Sequence, residues 1–404
     1  METITGYLIR YHRLKQNLSQ EGLCKGICVV SYLSKIEQGK VCADPEIIHA
    51  LWKRLQITYE DDPTFLHQYR QMFHIYFENW LLRIPQDSNV QQIRRQHDKL
   101  ISSPLCLYVS LFELYETKEL DKRKKILQEL SEFETYMEEA QSFLYHLAYF
   151  DHDVFEEQID HLKKASRIQA CSISYLYLGN CCFVKGSYSE SLEYFQKALL
   201  LGNEEGMFQI STNALLMIGN CYSNLGVEQL MLRYYKKAML AARAIQDEHT
   251  LKAVYYNLGA TYQCWRKNEE AILYLEKAMD EDDPYQCFMI YHKLALAYEE
   301  LGRIQEGREI LHKMEKIYQP DFSKETRLLY EFVCLRYEKD PITNPHYQEV
   351  LEDICFKYYP FIHHGIMLQH SQYLIEVYVH QRRYKDAMQL MKLSNKKDFP
   401  LDGI

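Results

Sequence analysis

Three stretches of this chain align with one another without gaps. They are YLYLGNCCFVKGSYSESLEYFQKAL from Tyr175, LLMIGNCYSNLGVEQLMLRYYKKAM from Leu215 and YYNLGATYQCWRKNEEAILYLEKAM from Tyr255. Gly179, Gly219 and Gly259 recur 40 residues apart. A repeat of this length is one helix pair that cannot bury its apolar face alone, so neighbouring copies must stack. In each copy the small residue lets the first helix approach the second. Phe195, Tyr235 and Leu275 fill the space between them, and Ala198, Ala238 and Ala278 close the pair. A fainter fourth copy has Ala295, Tyr298, Gly307 and Leu311, and a fifth has Tyr378, Ala387 and Met391. The rhythm continues without the signature residues over 105–162 and 326–359. With only 15 Gly and 10 Pro in 404 residues, the chain is expected to be all-α, and its body an α-solenoid.

The copies resemble tetratricopeptide repeats. Stacked helix pairs curve, and the first helix of each pair lines the concave face. Counting the small residue as position 8, positions 2, 5, 6, 9, 12 and 13 face the groove. This selects Asn180 and Phe183 in the first copy and Asn213, Leu216, Asn220 and Asn224 in the second. The third contributes Tyr256, Asn257 and Gln263, and the fourth His292. An Asn amide donates to a backbone C=O and accepts from a backbone N–H at once. A ladder of amides therefore holds an extended peptide whatever its side chains, and apolar pockets between them select sequence.

The N-terminal stretch Ser19–Gly39 reads SQEGLCKGICVVSYLSKIEQG. Ser19 is suited to cap a helix that starts at Gln20, and Gly26 suits a tight corner. A second helix then runs from Val29 to Gln38, and Gly39 ends it. Leu18, Leu23, Ile27, Leu33 and Ile36 converge on a small core, leaving Val29, Val30, Ser31, Tyr32, Ser34 and Lys35 outside. The stretch resembles the Cro/XRE-type helix-turn-helix. His12 stands where a core Leu is usual in that family, and Asn17 where Gly is usual. In such proteins the N-terminal half of the second helix enters the major groove. The candidate DNA contacts are thus Val29, Val30, Ser31, Tyr32, Ser34 and Lys35, with Arg13, Ser19, Gln20 and Lys40 beside them. The phrase GICVVSYLSKIEQG, through Ser31, Ser34, Ile36, Glu37 and Gly39, is also similar to the peptide-pheromone regulators of Gram-positive bacteria, the Rap–Rgg–NprR–PlcR–PrgX type. That resemblance implies a quorum-sensing regulator whose groove asparagines hold the pheromone, here Asn180, Asn220 and Asn257.

Charge and composition agree with this division. Residues 1–60 carry eight Lys/Arg against six Asp/Glu, while the whole chain has a net charge of −9. A slightly basic head on an acidic body suits DNA contact confined to the head. The 12 cysteines form no CxxC pair and read as reduced, packed thiols of a cytoplasmic protein. There is neither a signal peptide nor an apolar run of membrane-spanning length. P-loop, GxSxG and HExxH motifs are absent, so no enzyme is expected, and no cofactor or metal. His363, His364 and His370 lack a companion carboxylate or thiolate at ligand spacing.

The expected organisation is a helix-turn-helix domain over 1–62, a linker helix region over 63–100, and a repeat domain for peptide binding and dimerisation over 101–404. The reading is a cytoplasmic transcription regulator that binds operator DNA as a homodimer and is switched by a short signalling peptide. Its rivals are a repeat scaffold that sequesters another protein, and a constitutive phage or mobile-element repressor whose repeats serve only oligomerisation.

Overall fold

The computed structural model describes residues 2–82, 84–151, 154–280, 282–318, 323–357 and 364–394. These residues form helices and connecting turns with no strand among them. The chain divides into two compact units, Met1–Ala170 and Cys171–Ile404.

The first unit opens with α1 (Glu2–Lys15), α2 (Gln20–Cys24), α3 (Val30–Glu37) and α4 (Pro45–Arg54). The Ser19 hydroxyl accepts the Gly22 N–H and starts α2, and the Asp44 carboxylate accepts the Glu46 N–H and starts α4. Asn17, where the related motifs have Gly, takes a left-handed φ of 53°, a conformation that Asn tolerates better than most residues. Gly26, with φ of 74°, makes the corner between α2 and α3. Leu8, Ile9, Leu23, Leu33, Ile36 and Leu51 are buried together with Trp52. α1 crosses α3 so closely that a Cβ on Gly6 would lie 1.9 Å from the Ile36 carbonyl oxygen. His12 packs its ring edge-on to Trp52, which stacks on Tyr59 with ring centroids 4.6 Å apart. The unit continues through α5 (Pro63–Leu81), α6 (Asp87–Arg95), α7 (His97–Ile101), α8 (Cys106–Glu116), α9 (Leu120–Ser131), α10 (Glu139–Leu147) and α11 (Phe155–Ile168). The head is anchored to these helices by aromatic contact, since Tyr7 of α1 meets Phe133 and Tyr136 at centroid distances of 4.5 and 4.7 Å.

The second unit comprises α12 (Ser172–Val184), α13 (Tyr188–Glu204), α14 (Phe208–Asn224), α15 (Glu228–Ala244), α16 (Glu248–Cys264) and α17 (Asn268–Lys277). It continues with α18 (Pro284–Glu300), α19 (Ile304–Ile317), α20 (Lys324–Arg336), α21 (Pro345–Glu352), α22 (His364–His380) and α23 (Tyr384–Ser394). The 40-residue period has a direct geometric origin. Helices α13 to α16 are each 17 residues long, and three-residue corners join them to one another and to α17. The corner residue Gly206, Gly226, Gln246 or Arg266 takes a positive φ each time. The pairing residues meet as their spacing implies. A Cβ on Gly179 would lie 2.5 Å from the Phe195 ring, one on Gly219 2.4 Å from the Tyr235 ring, and one on Gly259 2.6 Å from Leu275. Ala198, Ala238 and Ala278 are fully buried behind them. Among the described residues, no helix is long and apolar enough to cross a membrane.

Candidate functional site

In the head, α1, α2 and α3 are tied by one carboxylate. Glu37, at the end of α3, accepts from Arg13 Nε at 2.6 Å, Arg13 Nη2 at 2.9 Å and Gln20 Nε2 at 2.8 Å. Arg13 Nη1 donates to the Leu18 carbonyl oxygen at 2.8 Å. Both members of the ion pair are buried, which corrects the sequence reading of Arg13 as a DNA contact. Its guanidinium lies inside the motif and fixes the angle between α1 and α3. Gln20 is half-buried, with its amide nitrogen held by the same carboxylate. Sequence spacing alone does not separate an inward Arg from an outward one on so short a helix.

The remaining candidates lie on α3 or just beyond its ends, with Ser19 at the start of α2. Val29 and Val30 are 68% and 42% exposed at the start of α3. Such exposure of two β-branched residues at a helix N-terminus leaves them free for apolar contact. Ser31, Lys35 and Lys40 are exposed, and Tyr32 and Ser34 half-buried. Ser19 is exposed even while its hydroxyl caps α2. Arg54 braces the motif from behind, donating to the Leu23 and Lys25 carbonyl oxygens.

The second unit contains a groove of about 320 Å³. Of the residues chosen from the repeat register, Phe183, Asn220, Asn224, Tyr256 and Asn257 line it. Asn220 is oriented by Tyr235, whose hydroxyl donates to its Oδ1 at 2.6 Å. That assignment points the Asn220 amide nitrogen toward Met217 Sδ, 3.4 Å away. The Asn224 amide donates to the Asn220 carbonyl oxygen at 2.9 Å, leaving its Oδ1 as an acceptor. Ser223 and Thr261 bridge α14 and α16 with hydroxyls 2.7 Å apart. Burial raises the Tyr256 hydroxyl pKa and keeps the phenol neutral.

The other candidates are placed elsewhere. Asn180 is half-buried outside the groove lining. The Asn213 Oδ1 accepts from the Thr250 hydroxyl at 3.3 Å. Leu216 is packed in the core. Gln263 is 1% exposed, with its amide bonded to Tyr373 and Gln369. His292 is 0% exposed. These three buried residues are corrections to the sequence reading. For Gln263 and His292 the cause is α22, which packs over α16 and α18 and covers positions that an open repeat stack would leave bare. His363 lies outside the described residues, and so does the side chain of His364.

Several lining residues were not selected from sequence. Trp265, Met289, Lys293, Ile366 and Leu368 complete the groove with Tyr235 and Thr261. Lys293 does occupy position 6 of its repeat, the register of Asn257 in the preceding copy. Ile366 and Leu368 come from α22, the first helix of the faint fifth copy, whose signature residue Tyr378 lies near its other end.

Behind the groove, His292 has no hydrogen-bond partner for either ring nitrogen among the described residues, and burial is the main cause holding both His292 and His370 neutral. The His370 pKa falls to about 3, with Lys293 adding to the effect. In the first unit, burial takes the pKa of His146 down to about 4. A depressed folded-state value means that the unfolded chain binds the proton first as pH falls. The stabilisation from neutral His is therefore complete above about pH 6.5 and is lost progressively below it. We expect unfolding free energy to drop by about 1.4 kcal/mol per pH unit for each such His between pH 6 and 4. His370→Phe should flatten this slope in equilibrium denaturation of the second unit. An unchanged slope would mean that His370 does not titrate differently on folding.

Comparison with known proteins agrees with both parts. Residues 9–61 match the helix-turn-helix family, and residues 253–284 match the tetratricopeptide repeat. No curated protein sequence matches the chain. A Rap protein solved in complex with Competence and Sporulation Factor is similar in structure, with a TM-score of 0.64 and 13% identity over 82% of this chain and 98% of that one. The apo form of the quorum sensor NprR from B. thuringiensis gives 0.58 and 14% over 82% and 99%. The Rap conjugation gene regulator of the plasmid pLS20, solved with the Phr* peptide, gives 0.54 and 14% over 82% and 96%. The chain is therefore a Cro/XRE-type helix-turn-helix followed by a tetratricopeptide-like solenoid, with the fold of the Rap and NprR proteins.

Proposed function

We propose that this protein is a transcription regulator that binds operator DNA through its head and a short signalling peptide through the groove of its repeats. The observation that carries the reading is the conjunction of an exposed N-terminal half of α3 with a groove bearing the amides of Asn220, Asn224 and Asn257. No hydrogen bond within the described residues engages the Asn257 side chain, so it is available to a peptide main chain. NprR is described as a quorum sensor, and the pLS20 Rap regulator was solved with a peptide, which supports the same reading here.

The head acts as a dimer on a two-fold symmetric operator, since a pair of recognition helices must meet half-sites about 34 Å apart. Ser31, Tyr32 and Lys35 read base edges or nearby phosphates, with Val29 and Val30 against thymine methyl groups or sugars. The peptide shifts the population between forms of different operator affinity, which requires that it bind one form more tightly.

The test is a gel shift on the DNA flanking the protein's own gene, with and without synthetic peptides from neighbouring short secreted reading frames. A shift altered by one peptide is the expected result. A shift indifferent to all of them would favour a constitutive repressor, and no shift at all a sequestering scaffold. In the same assay, Tyr32→Ala/Lys35→Ala should weaken operator binding by about 100-fold, as loss of one base and one phosphate contact implies. Retained affinity would mean that α3 is not the reading helix.

A further inference from the structure

Among the described residues the groove carries one charged side chain, and none of the described carboxylates pairs with it. Among the described lining residues there is no Asp, Glu or Arg, and Lys293 of α18 is the sole charged residue. Lys293 is 5% exposed. Its Nζ donates to Gln369 Oε1, the one hydrogen-bond acceptor that the described residues offer it. From there a directional relay runs away from the groove. Gln369 Nε2 donates to Gln263 Oε1, Gln263 Nε2 to the Tyr373 hydroxyl at 3.2 Å, and Tyr373 to Glu300 Oε1 at 2.7 Å. The second Glu300 oxygen accepts from Asn268 at 2.9 Å. The carboxylate of this network thus sits at its far end, with both oxygens engaged, and three neutral side chains separate it from the lysine.

An ammonium has three donors, and this one meets a single neutral acceptor among the described residues. Burying a cation without an anion costs several kcal/mol, and the cost is removed when a carboxylate enters the same low-dielectric site. The other walls do not serve that purpose: the asparagine amides address a peptide main chain, and Trp265, Met289 and Ile366 offer apolar surface.

We infer that Lys293 is the anchor for a carboxylate of the bound peptide, either its C-terminus or an Asp or Glu side chain. This rests on the peptide-groove reading and assigns the chemistry that the groove selects. A peptide bearing that carboxylate places it against Nζ, with its main chain along Asn220, Asn224 and Asn257. Gln369 stays in place as the second acceptor and, through the relay, holds the ammonium toward the groove.

The experiment uses the full chain and three pools of random heptapeptides. The first has a free C-terminus and no Asp or Glu. The second is C-terminally amidated with one Asp or Glu, and the third is amidated with neither. Peptides retained through gel filtration are identified by mass spectrometry and their affinities measured by fluorescence anisotropy. One of the carboxylate-bearing pools should be retained, and which one it is identifies the source of the anion. Lys293→Met should weaken the recovered peptide by about 30-fold or more, the scale expected when one partner of a buried charge pair is removed. The same peptide with its carboxylate converted to an amide should bind wild type and K293M equally. Because Met has similar length and needs no counter-ion, K293M should melt no lower than wild type, which separates loss of binding from loss of fold. Equal retention of the third pool, or undiminished binding to K293M, would overturn the anchor while leaving the groove as a peptide site. Retention of no pool by wild type would overturn the groove reading and the anchor with it.

Discussion

Glu37→Ala should unfold the helix-turn-helix head while the second unit remains folded. The substitution removes the acceptor of three donors at once and leaves the Arg13 guanidinium, 7% exposed, inside the motif without an anion. Breaking a buried pair from one side costs about 3–5 kcal/mol, comparable with the lower end of the whole stability of a small domain, about 5 kcal/mol. The observable is limited proteolysis: the segment preceding α5 should become sensitive and operator binding should disappear, while Cys171–Ile404 keeps its protection. The paired replacement Arg13→Met/Glu37→Leu should cost less than Glu37→Ala alone, since no charge is left stranded. Full protease protection of the head in Glu37→Ala would show that apolar packing around Leu23, Leu33 and Ile36 suffices to hold α1 on α3.

How much of this was readable in advance follows from how local each constraint is. Ser19 and Gly26 act on backbone within a few residues of themselves, and each was legible as a cap or corner. The Gly219–Tyr235 and Gly259–Leu275 contacts were legible because the repeat states the same spatial relation three times. The groove asparagines on α14 and α16 follow from the same register. The buried fate of Gln263 and His292 was not legible, because α22 covers them from a distant part of the chain and the faint fifth copy, marked by Tyr378, does not show where its first helix docks. Arg13 failed for a smaller-scale reason. A cation on an amphipathic helix near DNA reads as a phosphate contact, and only the convergence of α1 with the end of α3 shows that Glu37 claims it. Gln246 and Arg266 add a complementary case. They occupy the left-handed corners that Gly206 and Gly226 fill elsewhere, so the corner persists where the glycine that would signal it is missing.

Gly219→Ala tests the link between repeat packing and the groove, and the sign of its effect is itself informative. On an exposed helix the change would stabilise by about 1 kcal/mol through backbone entropy. Here the new Cβ would lie 2.4 and 2.5 Å from Tyr235 Cδ1 and Cε1, and that ring is 1% exposed. Overpacking of this kind costs about 1–3 kcal/mol. Any displacement of the ring also withdraws the hydroxyl that orients Asn220 at 2.6 Å. We therefore expect a net loss of stability of about 1–2 kcal/mol in equilibrium denaturation, together with weaker peptide binding. The decisive comparison is in a Tyr235→Ala background. That substitution alone should cost about 3–5 kcal/mol through the cavity it leaves, but it empties the space that the added methyl group needs. Gly219→Ala should then turn from destabilising to neutral or stabilising, with a coupling energy of about 1–3 kcal/mol. If the two effects simply add, the close approach of α14 and α15 is not what makes glycine necessary at this position. The 40-residue recurrence of Gly179, Gly219 and Gly259 would then need another physical cause.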